Sequence, residues 1–167
     1  MLIFKEKLPA QNRNAIINKI NSVSANLGIN PNWLMAVMNF ESGLNPQAKN
    51  PYSGATGLIQ FMPSTARSLG TSVEQLAFMP FENQLHYVEK YYDQWKSKVK
   101  SFVDLYLATF FPVAIGKPDS WVLETNNVSA STIASQNPVF DPLKQGKVTV
   151  GAIKKVILSK IPVDLLK

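Results

Sequence analysis

Residues 30–43 read Asn30-Pro31-Asn32-Trp33-Leu34-Met35-Ala36-Val37-Met38-Asn39-Phe40-Glu41-Ser42-Gly43. Asn30 is a helix N-cap, and Pro31 takes the first helical position, where a missing N–H costs nothing. The apolar side chains that follow point in nearly every direction, the pattern of a helix threaded through a core, and Gly43 ends it. Glu41 stands in the last turn. Ionising a carboxyl there is opposed by lost hydration, since the side chain leans over Val37 and Met38 one turn back. The partial negative charge of the helix C-terminus opposes it as well. Both effects raise the pKa toward the range of a general acid working near neutrality. On these residues alone, a surface Glu at a fraying helix end is an equal alternative.

Outward from this helix the chain predicts further helices. Ile16, Ile17, Ile20, Val23 and Leu27 recur at helical spacing, giving a helix from about residue 10 to Leu27, stopped by Gly28. Residues 43–57 form a loop rich in Gly, Pro, Asn and Ser, and Met62-Pro63-Ser64-Thr65 opens a short helix that ends by Gly70. Phe81, Leu85, Val88, Tyr92 and Trp95 mark an amphipathic helix over 80–97. An apolar helix follows from Ser101 to Phe111, closed by Pro112. Four prolines interrupt 112–147, and a last helix capped by Thr149 carries Ile153, Val156 and Ile157. The expected fold class is mainly α. It is read as one domain over 1–167, with its core in 10–116 and a C-terminal extension, 117–167, packed on it. Trp33 and Trp95, at helical spacing, are expected to be buried.

Composition narrows the function classes. At 167 residues, 46% apolar and 17% charged, the chain can bury a real core. It has no Cys, which excludes disulfides, thiolate nucleophiles and Cys-based zinc sites. His86 is the only histidine, so a Ser-His-Asp mechanism or a multi-histidine metal site has too little to work with; among Phe81, Leu85 and Tyr87 it reads as a packing or surface residue. The net charge of +6 suits a polyanionic partner or simply a solubilising surface. No nucleic-acid motif is present, and no segment is long enough to insert in a membrane. The first residues, MLIFKEKLPAQNRN, lack the apolar run of a signal peptide. Asp141 to Ala152 has the outline of a calcium loop, but Leu143, Gln145 and Ala152 stand where oxygen ligands belong. It is read as a turn before the last helix, and neither a metal nor a cofactor is expected.

The run Glu41-Ser42-Gly43-Leu44-Asn45-Pro46, then Gly57-Leu58-Ile59-Gln60, then Met62-Pro63-Ser64-Thr65-Ala66 resembles the soluble lytic transglycosylase family, related in fold to goose-type lysozyme. The resemblance covers about residues 30–95. It implies a lysozyme-like domain acting on the glycan strands of peptidoglycan, with Glu41 as the single catalytic acid/base. Gly57, Leu58, Ile59 and Gln60 correspond to the segment lining the glycan cleft, with Gln60 hydrogen-bonding a sugar. Ser42 matches the family's Ser, which can also serve the helix end. Asn50 falls where many relatives carry a Ser that helps position the acetamido group. The family's third motif holds a Tyr near the catalytic Glu. Phe110 stands at that position without the hydroxyl, and Tyr106, one turn earlier, can reach the same face. Trp121, in an irregular region, is a candidate sugar contact.

Typical glycosidases use two carboxylates. Here none pairs with Glu41 at motif spacing, although folding can bring Glu74 or Glu82 near. The resemblance therefore implies substrate assistance and a 1,6-anhydro product. Two alternatives stay open: a hydrolytic muramidase or chitinase-like enzyme on the same fold, and an inactive wall-binding or structural tail module. The small size, basic surface and lack of a visible export signal suit an enzyme carried by a virion or released with lysis machinery to an extracytoplasmic wall.

Overall fold

A computed structural model describes residues 1–167. Its α-helices are α1 (Arg13–Leu27), α2 (Pro31–Ser42), α3 (Pro63–Ser68), α4 (Val73–Ala77), α5 (Phe81–Asp93), α6 (Phe102–Phe110), α7 (Ala130–Gln136) and α8 (Val150–Ser159). Single 3-10 turns occur at Lys5–Lys7, Pro112–Ala114, Pro138–Phe140 and Val163–Leu166. The fold is mainly α, and β-structure is limited to isolated bridges such as Lys49 with Thr56 and Thr56 with Phe61.

The arrangement follows from α2. Its N-terminus is capped by Asn30, whose side chain accepts from the Asn32 N–H at 2.9 Å. Its other end closes on Gly43, which adopts φ 63°, while the Leu44 N–H returns to the Met38 carbonyl at 3.2 Å. Between these caps, Leu34 to Met38 lose essentially all exposure. Helix α1 packs on α2 and α5, and α6 packs on α2, so the catalytic-candidate helix is covered from several sides. One continuous apolar cluster runs from Ile3 to Leu166.

The sequence placed most elements, with local differences. Helix α1 begins at Arg13 rather than near residue 10, and α5 ends at Asp93, leaving Trp95 in the turn beyond. Trp33 and Trp95 are half-buried, not buried. Each lays one face on the core, and the Trp33 indole N–H donates to the Leu166 carbonyl at 2.5 Å. Helices α4 and α7 were not foreseen. Ser72 and Ser129 cap them through the N–H groups of Gln75 and Thr132, but each helix is too short to display an apolar period.

The C-terminal segment, 117–167, engages both ends of α2. Near the beginning, the amides of Asn30 and Asn32 donate to the carbonyls of Lys167 (2.7 Å) and Leu165 (2.9 Å). Near the other end, Phe140 is buried against Phe40, with ring centroids 6.4 Å apart. The Asp141 carboxylate accepts from its own turn, from the N–H groups of Gln145 (2.8 Å) and Gly146 (2.9 Å), ahead of the Thr149-capped α8.

Candidate active site

Helix α2 delivers Glu41 to the foot of α5 and α6. Its carboxyl is raised from an ordinary 4.5 to about 7, because burial pushes it up by more than the neighbouring Tyr106 hydroxyl pulls it down. Burial and the neighbouring Glu41 charge hold the Tyr106 hydroxyl well above the usual phenol range. Tyr91 is pushed up to about 12, chiefly by burial, and Tyr92 rises for the same first reason; both also feel Glu41. Three phenols therefore lie within reach of the charge on one carboxyl. No acidic side chain is among the groups acting on it, and Glu74 lies exposed while Glu82 is half-buried elsewhere on the surface.

The phenols are held in place. Tyr91 donates to the Ala108 carbonyl at 2.5 Å, and the Tyr92 hydroxyl meets the Thr109 hydroxyl at 2.5 Å, which binds α5 to α6 beneath the site. Tyr106 is wrapped in rings: Phe40 meets it edge-on at 5.2 Å, Phe110 stacks at 6.0 Å and Phe140 meets it edge-on at 6.1 Å. Phe110 supplies an apolar wall to this cluster, and the Tyr106 hydroxyl is the polar group beside it that acts on the Glu41 carboxyl.

Ser42 couples the end of α2 to the next motif. Its hydroxyl lies 2.9 Å from both the Met38 and Leu58 carbonyls, so its single proton is shared between the helix end and the Gly57–Gln60 turn. That turn is closed by a pair of bonds between Thr56 and Phe61 (3.0 and 2.9 Å) and held to the preceding loop by the Gly57 N–H on the Ala48 carbonyl at 2.8 Å.

The four residues of the turn have different fates. Leu58, expected at the cleft, has a fully buried side chain, and its backbone carbonyl and N–H bond Ser42 and Gln84. Ile59 is 4% exposed. Gly57 is buried at φ +91°, where a Cβ would lie 2.6 Å from the Gln84 Oε1. Gln60 takes φ 56°, unusual for a residue with a side chain, and its amide donates to the Ala48 (3.2 Å) and Gly57 (3.1 Å) carbonyls. Its Oε1 stays available as an acceptor. Ile59 and Gln60 border a recess of about 50 Å³ with Thr65, Tyr91 and Thr109. Larger hollows lie away from it, about 540 Å³ around Met1, Lys5 and Ile17 and about 340 Å³ on the C-terminal segment.

Other candidates are less engaged. Asn50 is exposed, and its Oδ1 accepts from the N–H groups of Tyr52 (2.9 Å) and Ser53 (3.2 Å), which leaves only its NH2 free. Trp121 is half-buried against Phe111 at 6.2 Å. His86 is exposed beside Tyr87.

Sequence reasoning missed Gln84. Fully buried on α5, it donates to the Pro46 and Leu76 carbonyls and accepts from the Leu58 N–H at 3.0 Å. One amide thus fixes the loop after Glu41, the end of α4 and the Gly57–Gln60 turn. The clue was a polar residue inside the apolar stripe of Phe81, Leu85 and Val88. Tyr91 and Phe140 were also missed. Phe140 lies far beyond the recognisable motifs.

No significant match to a solved structure was found. Residues 18–102 match the family model described as Transglycosylase SLT domain, a span that holds Glu41, the Gly57–Gln60 turn and Gln84 and stops short of Tyr106. With half its length inside that match, the chain belongs to the transglycosylase SLT domain family, whose lytic transglycosylases act on peptidoglycan.

Proposed function

We propose that the chain cleaves the MurNAc–GlcNAc bond of peptidoglycan with Glu41 as its only acid/base, and that it forms a 1,6-anhydro-MurNAc end. The observation that carries this reading is a lone carboxyl, pushed up to about 7 by burial, with tyrosines instead of a second acid within reach of its charge. An acid of that strength is substantially protonated near neutral pH and can give its proton to the glycosidic oxygen as the C1–O bond breaks. The substrate's own acetamido oxygen supports the positive charge that develops at C1. Glu41, now a carboxylate, removes the proton of the C6 hydroxyl, and O6 closes on C1. The ring forms, Glu41 regains its proton, and no water is consumed.

In this reading Tyr106 steers the Glu41 carboxyl, and Phe110 forms the apolar wall behind it. Gln60 offers Oε1 to a sugar, with Gly57 and Ile59 shaping the surface beside it. Asn50 offers its free NH2 to the acetamido group, and Ser42 keeps the turn in register with Glu41. The wall lies outside the cytoplasmic membrane, and we place delivery there with a virion or lysis machinery.

Mass spectrometry of digested sacculi tests the reading. Anhydro-ended muropeptides are expected from the parent chain and none from Glu41→Gln. Reducing ends in their place would make the chain a hydrolase, and release undiminished in Glu41→Gln would remove Glu41 from the mechanism.

A further inference from the structure

The hollow of about 340 Å³ on the C-terminal segment lies outside the family match and plays no part in the chemistry above. Its lining holds the apolar side chains of Phe140, Pro142, Leu143 and Val156 together with two exposed cations, Lys147 and Lys155. Neither lysine belongs to any of the ion pairs in the structure, which join Lys96 to Asp93, Lys154 to Asp119 and Lys167 to Asp164. The one carboxylate in the wall, Asp141, is already accepting from the Gln145 and Gly146 N–H groups. The groove therefore offers unpaired positive charge beside apolar side chains.

It is also linked to the candidate active site through the core. Phe140 lines the groove and packs on Phe110 at 5.4 Å and on Tyr106 at 6.1 Å, and Tyr106 acts on Glu41. Lys160, next in the chain after the groove residue Ser159, places its ammonium 5.2 Å from the ring centre of Phe40, the residue before Glu41. The cationic edge thus extends toward the end of α2.

We propose that this groove binds the acidic peptide stem of the same glycan strand whose sugars lie at Glu41; the inference rests on the reading of Glu41 given above. A stem joins short apolar side chains to carboxylates in one chain, which matches apolar side chains set beside lysines. A neutral glycan lacks the charge, and a polyol phosphate lacks the apolar part. A single ring contact, Phe140 on Tyr106 at 6.1 Å, separates the groove lining from Tyr106, and a four-residue stem extends roughly 13 Å. The groove then selects peptide-bearing strands over bare ones.

The test combines binding and cleavage. A synthetic tetrapeptide of stem sequence with free carboxylates is titrated into the parent, Glu41→Gln and the Lys147→Ala/Lys155→Ala variant, following the amide resonances of Thr149 and Val156 by NMR. Parent and Glu41→Gln are expected to bind alike, and the double variant at least tenfold more weakly. Shifts absent in the parent, or unchanged in the double variant, overturn the proposal. So does a polyglycerol phosphate that shifts these resonances when the peptide does not. In the cleavage arm, the parent is expected to prefer peptide-bearing strands over amidase-stripped strands several-fold, and the double variant to lose the preference while cutting stripped strands normally. Equal cleavage of both by the parent counts against the groove. Peptide binding without cleavage of either strand leaves the groove standing and removes the Glu41 reading.

Discussion

The Tyr106 hydroxyl on α6 lies by the Glu41 carboxyl at the end of α2, and it favours that carboxyl's ionisation while the carboxylate opposes the phenol's own. Glu41 ionises first, near 7, because burial raises it while the phenol's hydrogen bond favours its charged form. Tyr106 stays a neutral donor throughout, held far above its usual range by burial and by the charge it faces. The phenol therefore tunes the acid without competing for its proton.

Replacing Tyr106 with Phe is expected to raise the Glu41 pKa above about 7, since the interaction lost is the one that lowers it. Activity needs protonated Glu41, so the alkaline limb of the pH–rate profile moves to higher pH. The maximal rate falls by roughly 10- to 100-fold as the carboxyl loses its orientation. A pH–rate profile on purified glycan strands reads both effects. An alkaline limb that stays put or moves down would show that Tyr106 does not act on Glu41.

The same carboxyl makes folding sensitive to pH. Its folded pKa of about 7 exceeds the ordinary 4.5, so native Glu41 carries no penalty below 4.5 and loses stability as pH rises toward and through 7. Glu41→Gln should match the parent near pH 4 and exceed it at pH 8 by about 3 kcal/mol. Urea unfolding at both pH values measures the gap. A variant less stable than the parent at pH 8 would contradict the burial argument.

Gln84→Leu keeps the volume and strips the Pro46 and Leu76 carbonyls and the Leu58 N–H of their shared partner. We expect a loss of roughly 3 kcal/mol, since buried groups without partners cost about 1–3 kcal/mol each and some will find water. Activity should fall with it even under conditions where the fold survives, because the turn at Gln60 loses its tether. Calorimetry alongside wall-clearing assays separates the two losses, and a neutral substitution would remove Gln84 from its organising role.

Gly57→Ala combines a left-handed backbone, φ +91°, with a Cβ placed 2.6 Å from the Gln84 Oε1. The expected cost is about 2–4 kcal/mol from backbone strain and displacement of the amide. Combining it with Gln84→Ala should recover part of the loss. A double-mutant cycle measures that coupling, and strict additivity would mean that the two residues do not meet.

The helices legible in sequence were those long enough to show a period. Helix α2 was read almost residue for residue, because Asn30-Pro31 and Gly43 state its ends and its apolar run states its burial. Helices α4 and α7 were missed because a Ser cap without a sustained stripe is indistinguishable from a turn. Glu41 stood out because it conflicts with its surroundings. Gln84 conflicts in the same way but was passed over, since its stripe was read for its apolar members alone. Leu58 is a different case: it belongs to a motif, and its side chain fills the core while its backbone bonds Ser42 and Gln84. Tyr91 and Phe140 reach the site by packing between distant segments, which no local pattern records.

The segment beyond residue 117 holds α2 at both ends, through Leu165, Leu166 and Lys167 on Asn30, Asn32 and Trp33, and through Phe140 on Phe40. The strength of the acid at Glu41 is therefore set in part by residues lying about a hundred positions downstream of it. Cutting the chain at the limits of the family match would keep Glu41 and the Gly57–Gln60 turn but remove Tyr106, Phe110 and Phe140, and readmit water to that side of the carboxyl. The fragment would keep the first two motifs of the family and yet carry a stronger, more ordinary carboxylic acid. The unit that evolution repeats and the unit that sets the proton's affinity are different lengths of chain.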